Sequence, residues 1–244
     1  MYLSSWYWDK GSFREKNEDS FSLQRVQIRY GLWGREAEAA LLLVCDGIGG
    51  LPEGETASGF VAEGMTEWFY REGVFRMRGP FWRKRTAKSA LEAFGRMQSC
   101  MERFEREEEI CCGTTCTMAL VKKNRFIIFH TGDSRAYLIG RRERLLTQDH
   151  HEGGALRRCL GAFGFEAPDI VRGRLAKGDM LLLCTDGFCR FAPQGFFQGC
   201  LRKGEQELSS CYRKLKGIGS FLKSQGEKDN LTALLLVNGG GRYI

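Results

Sequence analysis

The sequence predicts an α+β fold with mostly antiparallel sheet. Three observations carry the prediction. Two long segments repeat apolar residues at helical spacing, several short runs repeat them at strand spacing, and the strand runs follow one another instead of alternating with helices. Neither an internal repeat nor a low-complexity linker interrupts the 244 residues, so residues 1–244 read as a single domain.

The elements follow in order. Trp6-Tyr7-Trp8-Asp9-Lys10-Gly11 opens as an aromatic first strand, and Ser20 to Tyr30 resumes a roughly alternating pattern after the polar stretch Gly11 to Asp19. A turn around Gly31 to Arg35 leads to the unbroken apolar run Ala39 to Cys45, a buried strand that delivers Asp46 into Gly47-Ile48-Gly49-Gly50. Ala57, Phe60, Val61, Met65, Trp68 and Phe69 mark one face of a first helix, whose positive end suits Glu53 and Glu55. Gly73 to Arg85 reads as a basic, aromatic connection containing Pro80. A second helix carries Ala87, Leu91, Phe94, Met97, Met101 and Phe104, and its acidic tail runs from Glu105 to Glu109.

The period then changes. Thr114–Val121, Phe126–Thr131 and Arg135–Ile139 read as short strands joined by tight turns. Leu156 to Leu160 reads as one helical turn, and Met180 to Cys184 as a buried strand ending in Thr185-Asp186-Gly187. Leu208, Cys211, Leu215, Ile218 and Leu222 mark a last helix, and Asp229-Asn230 opens a final strand from Leu231 to Val237.

Composition bounds the function. With 43% hydrophobic and 27% charged residues the chain has ordinary globular balance. Its longest apolar run is too short to span a bilayer, and the N-terminus lacks a signal-peptide pattern. Ten cysteines without a Cys-x-x-Cys pair read as reduced core residues of a cytoplasmic protein. The net charge of +7 is spread out, densest at Arg76–Arg85 and Arg141–Arg144; this reads either as solvated loops or as attraction to acidic partners, and no nucleic-acid motif accompanies it.

Asp46, Asp133, Asp186 and Asp229 share one setting, at an end of an apolar strand beside Gly, Ser or Asn, while Glu18 and Asp19 precede a strand. Each alone suits a turn or cap. Gathered together they would repel one another unless cations were present. An oxygen-only donor set selects Mg²⁺ or Mn²⁺ over zinc.

Seven motifs in order carry a resemblance. They are Gly11-Ser12-Phe13-Arg14-Glu15-Lys16-Asn17-Glu18-Asp19-Ser20, Val44-Cys45-Asp46-Gly47-Ile48-Gly49-Gly50, Gly113-Thr114-Thr115-Cys116, Gly132-Asp133-Ser134-Arg135-Ala136-Tyr137, Leu145-Leu146-Thr147-Gln148-Asp149-His150, Cys184-Thr185-Asp186-Gly187 and Asp229-Asn230-Leu231-Thr232. From Gly11 to Val237 the chain resembles the bacterial form of the PP2C (PPM) metal-dependent protein serine/threonine phosphatases.

The resemblance implies a four-layer αββα sandwich, two antiparallel sheets flanked by helix pairs, with two Mn²⁺ or Mg²⁺ ions at one edge. It implies that Asp46 bridges both metals, the Gly47 carbonyl binds one, Asp186 and Asp229 complete the other, and Glu18 and Asp19 hold metal-bound waters. Arg14 matches the arginine that receives the substrate phosphate, a task suited to a guanidinium fork; the alternative is a salt bridge to Glu18. The implied reaction is hydrolysis of phosphoserine or phosphothreonine by direct attack of a water that the two metals activate. The implied partner is a phosphorylated protein, the product of a serine/threonine kinase, met by a monomer.

The chain also departs from the family. The histidine that eukaryotic members carry some way after the first acidic motif has no clear counterpart, since His130, His150 and His151 come much later. Asp133 could hold a weak third metal, but Phe188-Cys189-Arg190 supplies no second acid and Arg190 would oppose a dication, so the alternative is a turn residue bonded to Ser134 or Arg135. The flap between His150 and Arg158 is cut to a few residues. These departures leave two other readings open: a non-catalytic regulatory module, and a phosphatase of small phosphate esters.

Overall fold

The computed structural model describes residues 1–31, 34–152, 155–202 and 208–239. The chain runs β1 (Tyr2–Asp9), β2 (Asp19–Tyr30), β3 (Arg35–Asp46), α1 (Gly54–Trp68), α2 (Val74–Met77), α3 (Trp82–Glu108), β4 (Gly113–Thr114), β5 (Cys116–Lys122), β6 (Arg125–Thr131) and β7 (Arg135–Ile139). It continues through β8 (Glu143–Leu145), β9 (His151–Glu152), β10 (Ala155–Leu156), β11 (Leu160–Gly161), β12 (Asp169–Arg174), β13 (Met180–Cys184), α4 (Asp186–Cys189), α5 (Phe196–Leu201), α6 (Leu208–Ser224) and β14 (Leu231–Asn238).

Two five-stranded antiparallel sheets result, in the orders β1-β14-β13-β7-β8 and β12-β6-β5-β3-β2. Their packing follows from period two, because successive strand residues face opposite sides. In β3, Ala39, Leu41, Leu43 and Cys45 join α1 and α3 in one core, whereas Ala40, Leu42 and Val44 face the other sheet. In β13, Met180, Leu182 and Cys184 pack with α5 and α6, whereas Leu181 and Leu183 face inwards. Burial on both faces explains why these strands read as continuous apolar runs. The predicted α+β fold and its four-layer sandwich are thus observed.

Three local readings are corrected. The segment from Gly73 to Arg85 is largely helical: a π-helical turn over Phe69–Gly73 extends α1 into α2, and α3 already begins at Trp82. Trp68, Phe69, Met77 and Trp82 bury themselves here, while the arginines between them mask the apolar spacing. Leu156 to Leu160 is not a helical turn, because Leu156 pairs with His151 and Leu160 with Thr114 as short strands. The sequence reading also passed over β12, whose Arg172, Gly173 and Arg174 lack strand propensity and are held by pairing with β6. Leu32 and Trp33 of the predicted turn, and Gly153 and Gly154 of the shortened flap, lie outside the described residues.

Candidate active site

The two sheets bring five chain segments to one edge. The last residue of β3, Asp46, pairs in register with the first residue of β2, Asp19. Like charges directly opposite on neighbouring strands destabilise a sheet, so this pairing needs an external reason. Asp186 leaves β13 at the same edge and Asp229 stands just before β14. Together with Arg14, Gly47, Asp133, His151 and Arg190 they line a cleft of about 460 Å³.

Asp46 is held by its backbone. Its N–H donates to Thr115 Oγ1 (3.0 Å), and its carbonyl accepts from Thr114 Oγ1 (2.9 Å) and Thr115 N (2.9 Å). Thr115 Oγ1 in turn meets Ser134 Oγ at 2.9 Å. Among the described residues no hydrogen bond reaches the Asp46 carboxylate. Burial, then the charges of Asp19, Asp186, Asp133 and Asp229, push its pKa well above the usual carboxylate range. Gly47 cannot be replaced quietly, since a Cβ there would lie 2.3 Å from the Gly54 carbonyl oxygen. That close approach is the reason for glycine at the turn.

Asp19 is 3% exposed, and its Oδ2 accepts from Thr185 Oγ1 (2.9 Å) and Thr232 Oγ1 (2.6 Å). Its Oδ1 is buried with no partner among the described residues. Burial lifts the pKa to about 7, opposed by the two threonine hydroxyls and reinforced by Asp186 and Asp229. Asp186 is raised to about 6 by burial and then by Asp133, against the pull of Arg190. Glu18 is fixed by Asn230, whose Oδ1 accepts from the Glu18 N–H at 2.8 Å, while the Glu18 carbonyl accepts from Gly47 N at 3.1 Å.

Two guanidinium groups balance part of this charge. Arg14 donates from Nε to Asp229 Oδ1 (2.9 Å) and from Nη2 to Oδ2 (3.2 Å), and lies 3.5 Å from Glu18. Burial raises the Asp229 pKa, but Arg14 and the Asn230 N–H outweigh it and hold the carboxyl below its ordinary value. Arg190 Nη2 pairs with Asp186 and lies 3.3 Å from Asp229, with Nη1 3.4 Å from Glu227.

Arg14, Asp46, Gly47, Asp133, Asp186 and Asp229 therefore line one cleft, and Asp19 and Glu18 adjoin it through Asp46 and Arg14. Asp133 finds its partner in His151 Nε2, 2.8 Å away, while Ser134 and Arg135 engage Thr115 and Asp149 instead. The shortened flap thus delivers a histidine to the cleft, which spacing along the sequence could not show. Thr114, Thr115, Thr185, Thr232 and Asn230 also escaped the sequence reading as positioning residues, although each lies inside a quoted motif. His130 and His150 play other parts: His130 is buried between Thr117 and the Gln148 carbonyl.

Whether these residues suit divalent ions can be tested on the donors themselves. An orphaned buried oxygen on Asp19, an unbonded carboxylate on Asp46 and mutually raised pKa values describe hard-oxygen donors short of positive charge. With Asp186 and Asp229 turned to Arg190 and Arg14, no three His, Cys, Asp or Glu side chains among the described residues close into a metal-holding group. The donor chemistry fits, and in this structure Arg14 and Arg190 meet the charge of Asp229 and Asp186.

The comparisons with known proteins agree. The family described as Protein phosphatase 2C matches residues 17–216, and the chain belongs to that family. It is 26% identical to the serine/threonine phosphatase stp of Listeria innocua, over 93% of this chain and 92% of that protein. Among solved structures it resembles the serine/threonine phosphatase Stp1 of Staphylococcus aureus, with a TM-score of 0.80, 24% identity and coverage of 97% and 95% of the two chains. It also resembles the catalytic domain of the serine/threonine protein phosphatase PstP in complex with two manganese ions, with a TM-score of 0.75, 24% identity and 97% of each chain covered.

Proposed function

We propose that this chain is a metal-dependent protein serine/threonine phosphatase, acting as one domain on phosphoserine and phosphothreonine of proteins. The observation that carries the reading is the pairing of Asp19 with Asp46, which lines the cleft, together with an Asp19 carboxylate oxygen that is buried without a partner among the described residues. Asp46, the Gly47 carbonyl, Asp186 and Asp229 would hold two Mn²⁺ or Mg²⁺ ions, with Glu18 and Asp19 placing waters around them. Bound there, the ions would supply an activated water and neutralise charge on the phosphoryl oxygens. Arg14 lines the same cleft, and its guanidinium, paired with Asp229 here, would receive the phosphate once a cation takes over that carboxylate. Asp133, tied to His151, is left for a weak third ion or for positioning that histidine.

A phosphoprotein produced by a serine/threonine kinase, a monomeric enzyme and a cytoplasmic setting complete the proposal. No helix among the described residues is long and apolar enough to cross a membrane. The test is phosphate release from a phosphothreonine peptide with Mn²⁺, Mg²⁺ or EDTA, for the natural chain and Asp186→Asn. Metal-dependent turnover lost in the variant supports the assignment. Because Arg190 and Arg14 already tie Asp186 and Asp229, one observation favours a second reading, a regulatory module that binds phosphoprotein without turnover. Metal binding without turnover would establish that module instead.

A further inference from the structure

The far end of the second sheet carries charge that the cleft does not use. Arg125 and Arg174 stand opposite each other on β6 and β12, both exposed, while Lys122, opposite Arg125 on β5, is buried and turns its Nζ to the Met77 carbonyl and the Tyr30 ring. The like-charge pair Arg125–Arg174 across two strands is destabilising, so the fold keeps it at a cost in stability. α3 adds to the conflict. Its first turn bears Arg83, Lys84 and Arg85 at the positive end of a 27-residue helix, with no side-chain cap. Burial and then Arg125, Arg172 and Arg174 lower the Arg83 pKa, the signature of cations crowding one another. Among the described residues, no carboxylate pairs with Arg83, Lys84, Arg125, Arg172 or Arg174.

The surface is shaped as well as charged. Trp82 and Arg125 form the wall shared by two adjoining clefts of about 490 and 440 Å³. Phe81, which lines the second, is 84% exposed and holds a left-handed backbone (φ 55°). A large aromatic residue in that conformation, pointed at water, is strained and apolar without a folding reason. Next to it, β12 is the edge strand of its sheet, so its outward N–H and C=O groups lack a strand partner. Arg172 and Arg174 alternate along that edge.

We propose that the β5–β6–β12 end, with Phe81 and the first turn of α3, is a docking surface for an acidic, extended segment of polypeptide belonging to the phosphoprotein substrate. Charge complementarity calls for carboxylates, and the open edge of β12 calls for a peptide backbone rather than a nucleic acid. The naming of the segment's owner rests on the phosphatase reading; the surface does not. Lys122 pairs with Ala39, and from Ala39 to Asp46 along β3 is about 23 Å. Roughly eight extended residues between an acidic segment and the phosphorylated residue would bridge that span.

The experiment measures binding of a fluorescent, unphosphorylated glutamate-rich dodecapeptide to the full chain in EDTA, so that a failure of catalysis cannot affect it. The variants are Arg125→Glu with Arg174→Glu, and Lys84→Glu alone. We expect binding that weakens with salt, with the double reversal lowering affinity more than about tenfold and the single one less. The double reversal should melt no lower than the natural chain, which separates lost docking from lost folding. A second arm joins the acidic segment, through eight residues, to a phosphothreonine peptide. KM should fall about tenfold on joining, kcat should hold, and the gain should vanish in the double reversal. Equal peptide affinity in the natural and doubly reversed chains would overturn the proposal, as would tighter binding of a single-stranded oligonucleotide of equal charge.

Discussion

Arg14 and Asp229 lie 215 positions apart in the chain and form a two-point ion pair, 2.9 Å from Nε to Oδ1 and 3.2 Å from Nη2 to Oδ2. The same guanidinium approaches Glu18, so two acids hold it at the acidic cleft. In the proposed site, removing it would lose phosphate contacts and free Asp229 from its cation. Arg14→Ala should raise KM for a phosphothreonine peptide by about 10- to 100-fold, the scale of one or two charge-assisted hydrogen bonds. Arg14→Lys should recover only part of this, because an ammonium cannot pair two oxygens in one plane. Unchanged KM in Arg14→Ala would leave Arg14 a surface ion pair only.

Arg190 pairs with Asp186 and lies 3.3 Å from Asp229, so in the proposed metal site it would compete with a cation for both. Arg190→Ala should tighten Mn²⁺ binding by about tenfold in calorimetry, as one opposing charge is removed at close range. The metal-free variant should melt lower than the natural chain, since its carboxylates lose a partner. Equal Mn²⁺ affinities would show that Arg190 moves aside freely.

Metal binding should release protons. Asp19, raised to about 7, and Asp186, raised to about 6, are largely protonated below those values in the metal-free protein. Both folded pKa values exceed the ordinary 3.8, so these groups favour the folded state at low pH, and that support is lost as pH rises through about 6 to 7. Divalent ions must displace the protons, so Mn²⁺ affinity should fall as pH drops from 7.5 to 5.5. Calorimetry in buffers of different ionisation enthalpy counts the protons; none released at pH 6 would contradict the raised values.

His130 acts in the opposite sense. Burial, then His150, lowers its pKa from 6.5 to about 4, so the unfolded chain binds the proton first. Its contribution is present above pH 6.5 and is lost as pH falls towards 4, by at most about 3 kcal/mol. His130→Gln should therefore cost stability at pH 7.5 and progressively less at pH 5, measured by urea unfolding of the metal-free proteins. A gap that widens towards acid would refute this assignment.

Gly47→Ala should destabilise the fold by about 2 kcal/mol or more, because its Cβ would lie 2.3 Å from the Gly54 carbonyl oxygen. Loss of turnover should accompany it, since Asp46 turns with that backbone. Urea unfolding and phosphate release on the same preparation check both.

The sequence by itself determined the two helices with apolar residues at helical spacing, the doubly buried strands and the acids at their ends. Local forces suffice there: apolar runs such as Ala39 to Cys45 bury wherever they pair, and Asp46-Gly47 must turn where the run stops. Motif order extended this to the family and to the set Arg14, Glu18, Asp19, Asp46, Asp186 and Asp229. Tertiary structure alone decided which groups meet. Thr185 and Thr232 reach Asp19 across 166 and 213 positions, and Arg190 turns onto Asp229. It also decided that Asp133 faces His151 and that Arg125 stands opposite Arg174. Pairing register and sheet packing set those distances, and neither is written in the local spacing of the residues involved.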